Sequence, residues 1–307
     1  MIHRPTPWLA TTASLAALTL TLAACGSETG DATDPAADGG AQDSATASEG
    51  GPMSEAAAMV PQDIRDSGTL RVGTDASYAP NEFFADDGET IIGMDIDLFD
   101  SVAEELGLET EYQSADFGTI IAGVNSNKYD VGVSSFTINE DRKLEVNMVS
   151  YFNAGTQWAV ASGNPKNVDP DAPCGLAVAV QANTVQDLED LPPKVKACAD
   201  EGNPMTVQQY DGQDQATSAL VSGKTDAMLA DSPVVSYAVQ QVGGQIETVG
   251  DVYDAAPYGY VIPMDSPELA EAIQMALTTL SEDGGYEAAL ETWGQTDGAI
   301  NDFAVNP

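Results

Sequence analysis

The sequence predicts an α/β protein built as two similar lobes with mostly parallel sheets. At 307 residues the chain is long enough for two domains that each bury a core. From residue 69 onward, short strand-like runs alternate with apolar residues at helical spacing. Part of the pattern then repeats: Lys128 and Asp130 return as Lys224 and Asp226, 96 residues later, between the same kinds of element. Such an internal repeat is most simply two related lobes.

Thr69 to Gly73 reads as a short strand. From Asp95 to Leu106, the residues Ile96, Leu98, Phe99, Val102, Ala103 and Leu106 fall at helical spacing, and Gly107 ends the helix. Thr119 to Thr137 gives a small apolar helix, the Lys128/Asp130 pair, a strand Val131 to Val133 and a polar turn that opens a new helix. Gln215 to Val234 runs through the same scheme: helix, Lys224/Asp226, strand Ala227 to Ala230, then Asp231 ahead of Ser232 and Pro233, which read as an N-cap and first-turn proline. Ligands of open α/β sheets sit beyond the carboxyl ends of strands, beside helix N-termini. Each copy therefore offers a candidate there: Arg142 after the first, a cation, and Asp231 at the end of the second, an anion.

Residues 1–24 contain one arginine, an apolar stretch from Leu9 to Ala24 and no acid, the pattern of a secretory leader. Its end, Leu22-Ala23-Ala24-Cys25 followed by Gly26, resembles the bacterial lipobox, in which Cys25 becomes the acylated N-terminus. Residues 25–59, rich in Gly, Ala, Ser, Thr and acids, have little to bury and read as a flexible acidic tether. The chain would thus be held at the outer face of the cell membrane by lipid. The only histidine, His3, leaves with the leader, which removes a His-based triad, a His general base and a His-ligated metal from consideration. No metal or cofactor is expected.

The net charge is −39, and −40 once Arg4 has left. A polyanion gains nothing from counterion release on phosphates, so nucleic acid is not an expected partner. The plain reading of the acidity is a well-solvated surface. Two cysteines remain beyond Cys25, and in an exported chain Cys174 and Cys198 most simply pair. The closed loop would stabilise by roughly 3 kcal/mol in the chain-entropy view.

A free amino acid carries a carboxylate and an ammonium on one carbon, and burying it calls for a fork of donors and an anionic acceptor. Beyond the leader the chain has only three arginines, Arg65, Arg71 and Arg142. Gly68 to Phe84 (GTLRVGTDASYAPNEFF), Ile92 to Leu98 (IGMDIDL), Lys128 to Lys143 (KYDVGVSSFTINEDRK) and Gly259 to Pro263 (GYVIP) together resemble the polar-amino-acid-binding proteins of bacterial ABC importers. The resemblance runs from Gly68 to Trp293.

It implies the type II periplasmic binding protein fold: lobe one from 68–156 plus 262–307, lobe two from 162–256, and a two-strand hinge near 157–161 and 257–261. It implies that Arg142 holds the ligand α-carboxylate, helped by the Thr137 N–H and by amides around Asn183 and Thr184. Asp231, with the Ser135 carbonyl and the Thr137 hydroxyl, would receive the ammonium. Tyr78 and Phe117 would sandwich the side chain, although both also suit a core, and Asp75 would face its far end. Asn183 stands where the family usually has glycine, and asparagine is well suited to a left-handed backbone there.

The expected function is capture of a polar amino acid, cationic or glutamine-like, by a monomer that delivers it to an importer permease. A signalling receptor, or a dehydratase on the same scaffold, are the alternatives. A non-enzyme is expected, because the pocket's charges are taken up by the zwitterion.

Overall fold

The computed structural model describes residues 53–307. The leader, Cys25 and most of the tether lie outside them. The tether's last part is folded: Ser54 Oγ accepts the Ala57 N–H at 3.1 Å and opens helix α1 (Glu55–Met59). Ala56, Ala57 and Val60 are buried. The expected end of the tether at Met59 is therefore corrected to before Ser54, because a run of small apolar side chains finds a face to cover.

The first half of the molecule contains α2 (Gln62–Ser67), β1 (Thr69–Thr74), β2 (Ser77–Tyr78), β3 (Glu82–Phe84), β4 (Ile91–Ile92), α3 (Met94–Glu105), β5 (Glu109–Ser114), α4 (Phe117–Asn125), β6 (Val131–Gly132) and α5 (Glu140–Lys143). The long β7 (Asn147–Ala161) leads to the second half: β8 (Ala177–Gln181), α6 (Leu191–Asp200), β9 (Thr206–Tyr210), α7 (Gln213–Val221), β10 (Ala227–Asp231) and α8 (Ser232–Gln241). Then β11 (Ile246–Ile262) returns, and α9 (Pro267–Asp283) and α10 (Gly285–Thr292) pack on the first half with α3.

Eight strands form one sheet in the order β5-β1-β6-β11-β7-β10-β8-β9. In the first half β1 pairs in parallel with β5 and β6, and in the second β8 pairs in parallel with β9 and β10. Each half thus sets its first strand between its second and third, the arrangement that puts a crevice at the carboxyl ends of the strands. The α/β class expected from the sequence is the one found.

The repeated Lys-x-Asp has a structural cause. Asp130 Oδ2 accepts the Arg71 N–H at 2.8 Å, while the Asp130 N–H donates to the Arg71 carbonyl at 2.8 Å. In the second half Asp226 Oδ2 accepts the Ala177 N–H at 2.9 Å, and its own N–H donates to the Ala177 carbonyl at 2.7 Å. A left-handed residue ends the preceding helix each time, Asn127 at φ 57° and Gly223 at φ 72°. The aspartate then clasps the first strand and aligns the third beside it.

The two halves share β7 and β11. Residues 147–153 of β7 pair with Pro257–Ile262, whereas Thr156–Val160 pair with β10 on one side and Thr156–Ala161 lie against the first part of β11 on the other. Register shifts fall between Val249 and Tyr253 and between Tyr253 and Ala256. The strands therefore pass between the half-sheets at residues 154–156 and 253–256, just before the expected 157–161 and 257–261. At Gly155 an added Cβ would lie 2.7 Å from the Tyr253 carbonyl oxygen, so the close approach of the two strands requires glycine. Cys174 and Cys198 are joined by a disulfide, tying the approach to β8 to α6.

Candidate functional site

Between the half-sheets lies a cavity lined by Asp75, Tyr78, Phe117, Ser135, Thr137, Arg142, Thr184 and Asp231 among others.

Arg142 arrives on α5. Asn139 caps this helix by accepting the Arg142 N–H on its side-chain oxygen at 2.9 Å, so the N-E-D-R run is a cap followed by a single turn. The guanidinium donates from Nη1 to the Thr137 carbonyl at 2.7 Å and from Nη2 to the Asn183 carbonyl at 3.4 Å. It lies 5.3 Å from the Phe117 ring centre and 5.4 Å from that of Phe136, two rings stacked at 4.6 Å. Among the described residues no carboxylate comes within 4.0 Å of it. Arg142 keeps some exposure at the cleft mouth, but burial pushes its pKa down to about 10 against the pull of Asp231 and Glu189.

Asp231 ends β10 and is itself the N-cap position of α8, one residue before the expected Ser232. Its carboxylate makes no cap bond and turns into the cleft. Oδ2 accepts Tyr78 Oη–H at 2.9 Å and Tyr258 Oη–H at 2.7 Å, and Oδ1 accepts Gln186 Nε2–H at 2.7 Å. Burial raises its pKa, while the three donors and Arg142 oppose the rise. The two tyrosine hydroxyls and the glutamine amide fix the orientation of the Asp231 carboxyl group in the cleft.

Asp75, between β1 and β2, accepts the Phe117 N–H at 3.0 Å and Gln181 Nε2–H at 2.8 Å on the same oxygen. Burial pushes it up to about 6. Ser135 sits at φ 48°, an uncommon conformation for serine, fixed by its N–H on Asp95 Oδ2 at 2.9 Å. Glu82 also lines the cavity, wholly buried, within 3.0 Å of Ser134 Oγ and 3.2 Å of Ser135 Oγ.

Residues 70–296 match the bacterial extracellular solute-binding proteins, family 3. The chain belongs to that family. It is 38% identical to the arginine-binding protein ArgT of Corynebacterium glutamicum over 83% of this chain and 84% of that one. Among solved structures it resembles an ancestral arginine-binding protein bound to arginine, at 33% identity and TM-score 0.67 over 74% of this chain and 98% of the other. It also resembles an ancestral amino acid-binding protein that is a precursor of cyclohexadienyl dehydratase, at 31% identity and TM-score 0.65 over 75% and 97%. These neighbours carry the type II periplasmic binding protein fold, and this family 3 protein shares it.

In this solute-binding protein Asn183 borders the cleft beside Arg142. Its φ of 66° is the expected left-handed one, yet the residue is exposed outside the cavity. Its N–H donates to Asp187 Oδ2 at 3.0 Å, and its carbonyl, not its amide, faces Arg142. Thr184 is in the cavity and caps the turn that follows, its Oγ1 accepting the Asp187 N–H at 3.3 Å. Thr137 supports Arg142 through its carbonyl. Tyr78 reaches Asp231 with its hydroxyl, beyond the stacking role assigned to its ring. Sequence reasoning missed Glu82, Ser134, Gln181 and Gln186 in the lining, and Tyr258 behind Asp231. Only Gln181 had an available signal, as the last residue of a parallel strand.

Proposed function

We propose that the protein captures a cationic amino acid, arginine foremost, outside the cytoplasmic membrane and delivers it to an ABC importer. The observation that carries this is the charge imbalance of the cleft: one guanidinium without a carboxylate partner, against the buried carboxyls of Asp231, Asp75 and Glu82. Arg142 takes the α-carboxylate and Asp231 the α-ammonium, two charged contacts made within a desolvated cleft. A third positive charge on the ligand then meets Asp75 and Glu82, with the faces of Tyr78 and Phe117 adding about 0.5–2 kcal/mol. A glutamate side chain would meet the same acids without a counter-charge. Arginine-binding relatives and neighbours support the same ligand class.

A dehydratase would need an acid aimed at a scissile bond. With Arg142 and Asp231 committed to the zwitterion, the remaining acids Asp75 and Glu82 are taken up by the cationic side chain. Closure of the two halves about residues 154–156 and 253–256 presents the loaded form to the permease.

The test is a thermal-shift panel of free amino acids. At 100 times its dissociation constant a ligand stabilises by about 2.7 kcal/mol, or roughly 5–10 °C for a protein of this size. Arginine, lysine, ornithine and histidine are expected to shift the midpoint most, glutamine less, glutamate and aspartate least. A largest shift from glutamate with none from the basic amino acids would overturn the ligand class.

Lipid anchoring through Cys25 belongs to the same reading and lies outside the described residues. Cys25→Ser is expected to move the protein from the membrane fraction to the soluble or secreted one. Continued membrane retention would refute the anchor.

A further inference from the structure

Glu82 and Asp95 are both wholly buried, and among the described residues neither has a lysine or arginine within 4.0 Å. They come together because α3 starts against the strand that carries Glu82. The Asp95 N–H donates to the Asn81 carbonyl at 2.9 Å, and Gly93 passes so close that an added Cβ would lie 2.0 Å from that oxygen. Two buried carboxylates without a cation cannot both stay ionised, since each charge is desolvated and repels the other.

Counting hydrogens locates the proton. Ser135 Oγ lies 3.2 Å from Glu82 Oε2 and 3.2 Å from Asp95 Oδ2, and accepts from Asn81 Nδ2 at 2.9 Å. A hydroxyl has one hydrogen and serves one carboxyl at a time. Asp95 Oδ2 already accepts the Ser135 N–H at 2.9 Å and Tyr151 Oη–H at 2.5 Å, which marks Asp95 as the ionised partner. The second Ser135 contact then needs a hydrogen from the other side, on Glu82 Oε2. Burial and the neighbouring Asp95 both raise the pKa of Glu82 well above the usual carboxylate range, which agrees.

The other titratable groups facing the pair are Asp75 from the β1–β2 connection, Tyr78 from β2, Tyr112 from β5, Tyr151 from β7 and Tyr260 from β11. The tyrosines are neutral at physiological pH, and Asp75 adds only negative charge. Nothing on these elements replaces the proton as a source of positive charge. Arg142 lines the same cavity but is bound to the Thr137 and Asn183 carbonyls.

We propose that Glu82 is a proton-exchange residue: it is protonated in the empty cleft and gives up that proton when the cationic end of the ligand side chain arrives. This rests on the proposed ligand class. The proton leaves to solvent, the Glu82 carboxylate pairs with the incoming cation, and the charge within the cleft is unchanged. A neutral side chain such as glutamine's brings no charge to exchange, so the carboxyl stays protonated and no proton is released. Discrimination between cationic and neutral ligands would then depend on pH. A site that releases a proton on binding tightens as pH rises, by up to about tenfold per pH unit while the free form is protonated and the bound form is not.

Titration calorimetry in two buffers of different ionisation enthalpy, near neutral pH, gives the number of protons released. About one per arginine and none per glutamine are expected, with affinity for arginine rising with pH. In Glu82→Gln, arginine binding should become pH-independent over the same range, whatever its strength. In the ligand-free wild type, infrared spectroscopy should show a protonated-carboxyl band at about pH 7.5 that disappears in Glu82→Gln. Arginine binding without proton release, or absence of that band, would overturn the proposal. Failure of every basic amino acid to bind while the band is present would overturn the ligand class, and the proton release with it.

Discussion

Replacing Arg142 by alanine is expected to weaken arginine binding by about 2–5 kcal/mol, since it strands a buried α-carboxylate without its donors. That is a loss of roughly 30- to several-thousand-fold. The stability of the ligand-free protein should meanwhile stay within about 1 kcal/mol of wild type, because removing the guanidinium also removes a desolvated charge that has no carboxylate within 4.0 Å among the described residues. A side chain that served only the fold would show the opposite pattern. Arg142→Lys should fall between, keeping the charge but losing the planar fork. Calorimetry with matched thermal unfolding reads both quantities. Affinity of Arg142→Ala within threefold of wild type would remove Arg142 from the site.

The second large loss is expected at Asp231, again about 2–5 kcal/mol of binding energy, but here the choice of substitution matters. Alanine leaves Tyr78, Tyr258 and Gln186 as buried donors without their acceptor. Each such orphan costs about 1–3 kcal/mol, so binding and stability would fall together. Asp231→Asn keeps the shape and one acceptor oxygen while removing the charge that faces the ligand ammonium. It is expected to lose most of the binding with a smaller loss of stability. Asp231→Asn that binds arginine within threefold of wild type would show that the carboxylate is not the ammonium's partner.

Much of the architecture was legible because it is encoded locally. The β1 strand, the α3 face ended by Gly107 and the paired Lys-x-Asp joints all follow from short-range periodicity and turn chemistry. Arg142 and Asp231 stood out because each follows a recurring strand at the end where helices begin, and they line one cavity although far apart in sequence. Glu82 was not legible. No spacing or repeat singles it out between Asn81 and Phe83, and its burial comes from α3 packing over it, a tertiary fact with no local pattern. Gln181, Gln186 and Tyr258 carry no charge to betray them, and their roles exist only once the two halves meet. The tether's end was misplaced for a related reason: an alanine-rich run looks featureless until the surface it covers is known. Asn183 was legible as a left-handed position, whereas the Asp187 carboxylate that takes up its N–H could not be assigned from spacing.

The most direct test of the central claim is a crystal structure of the protein grown with arginine. The ligand is predicted in the cleft between the half-sheets, its α-carboxylate on the Arg142 guanidinium, its α-ammonium on Asp231, and its side-chain guanidinium toward Asp75 and Glu82. Arginine bound with its side-chain guanidinium on Asp231 and its α-carboxylate away from Arg142, or bound only outside the cleft, would contradict it.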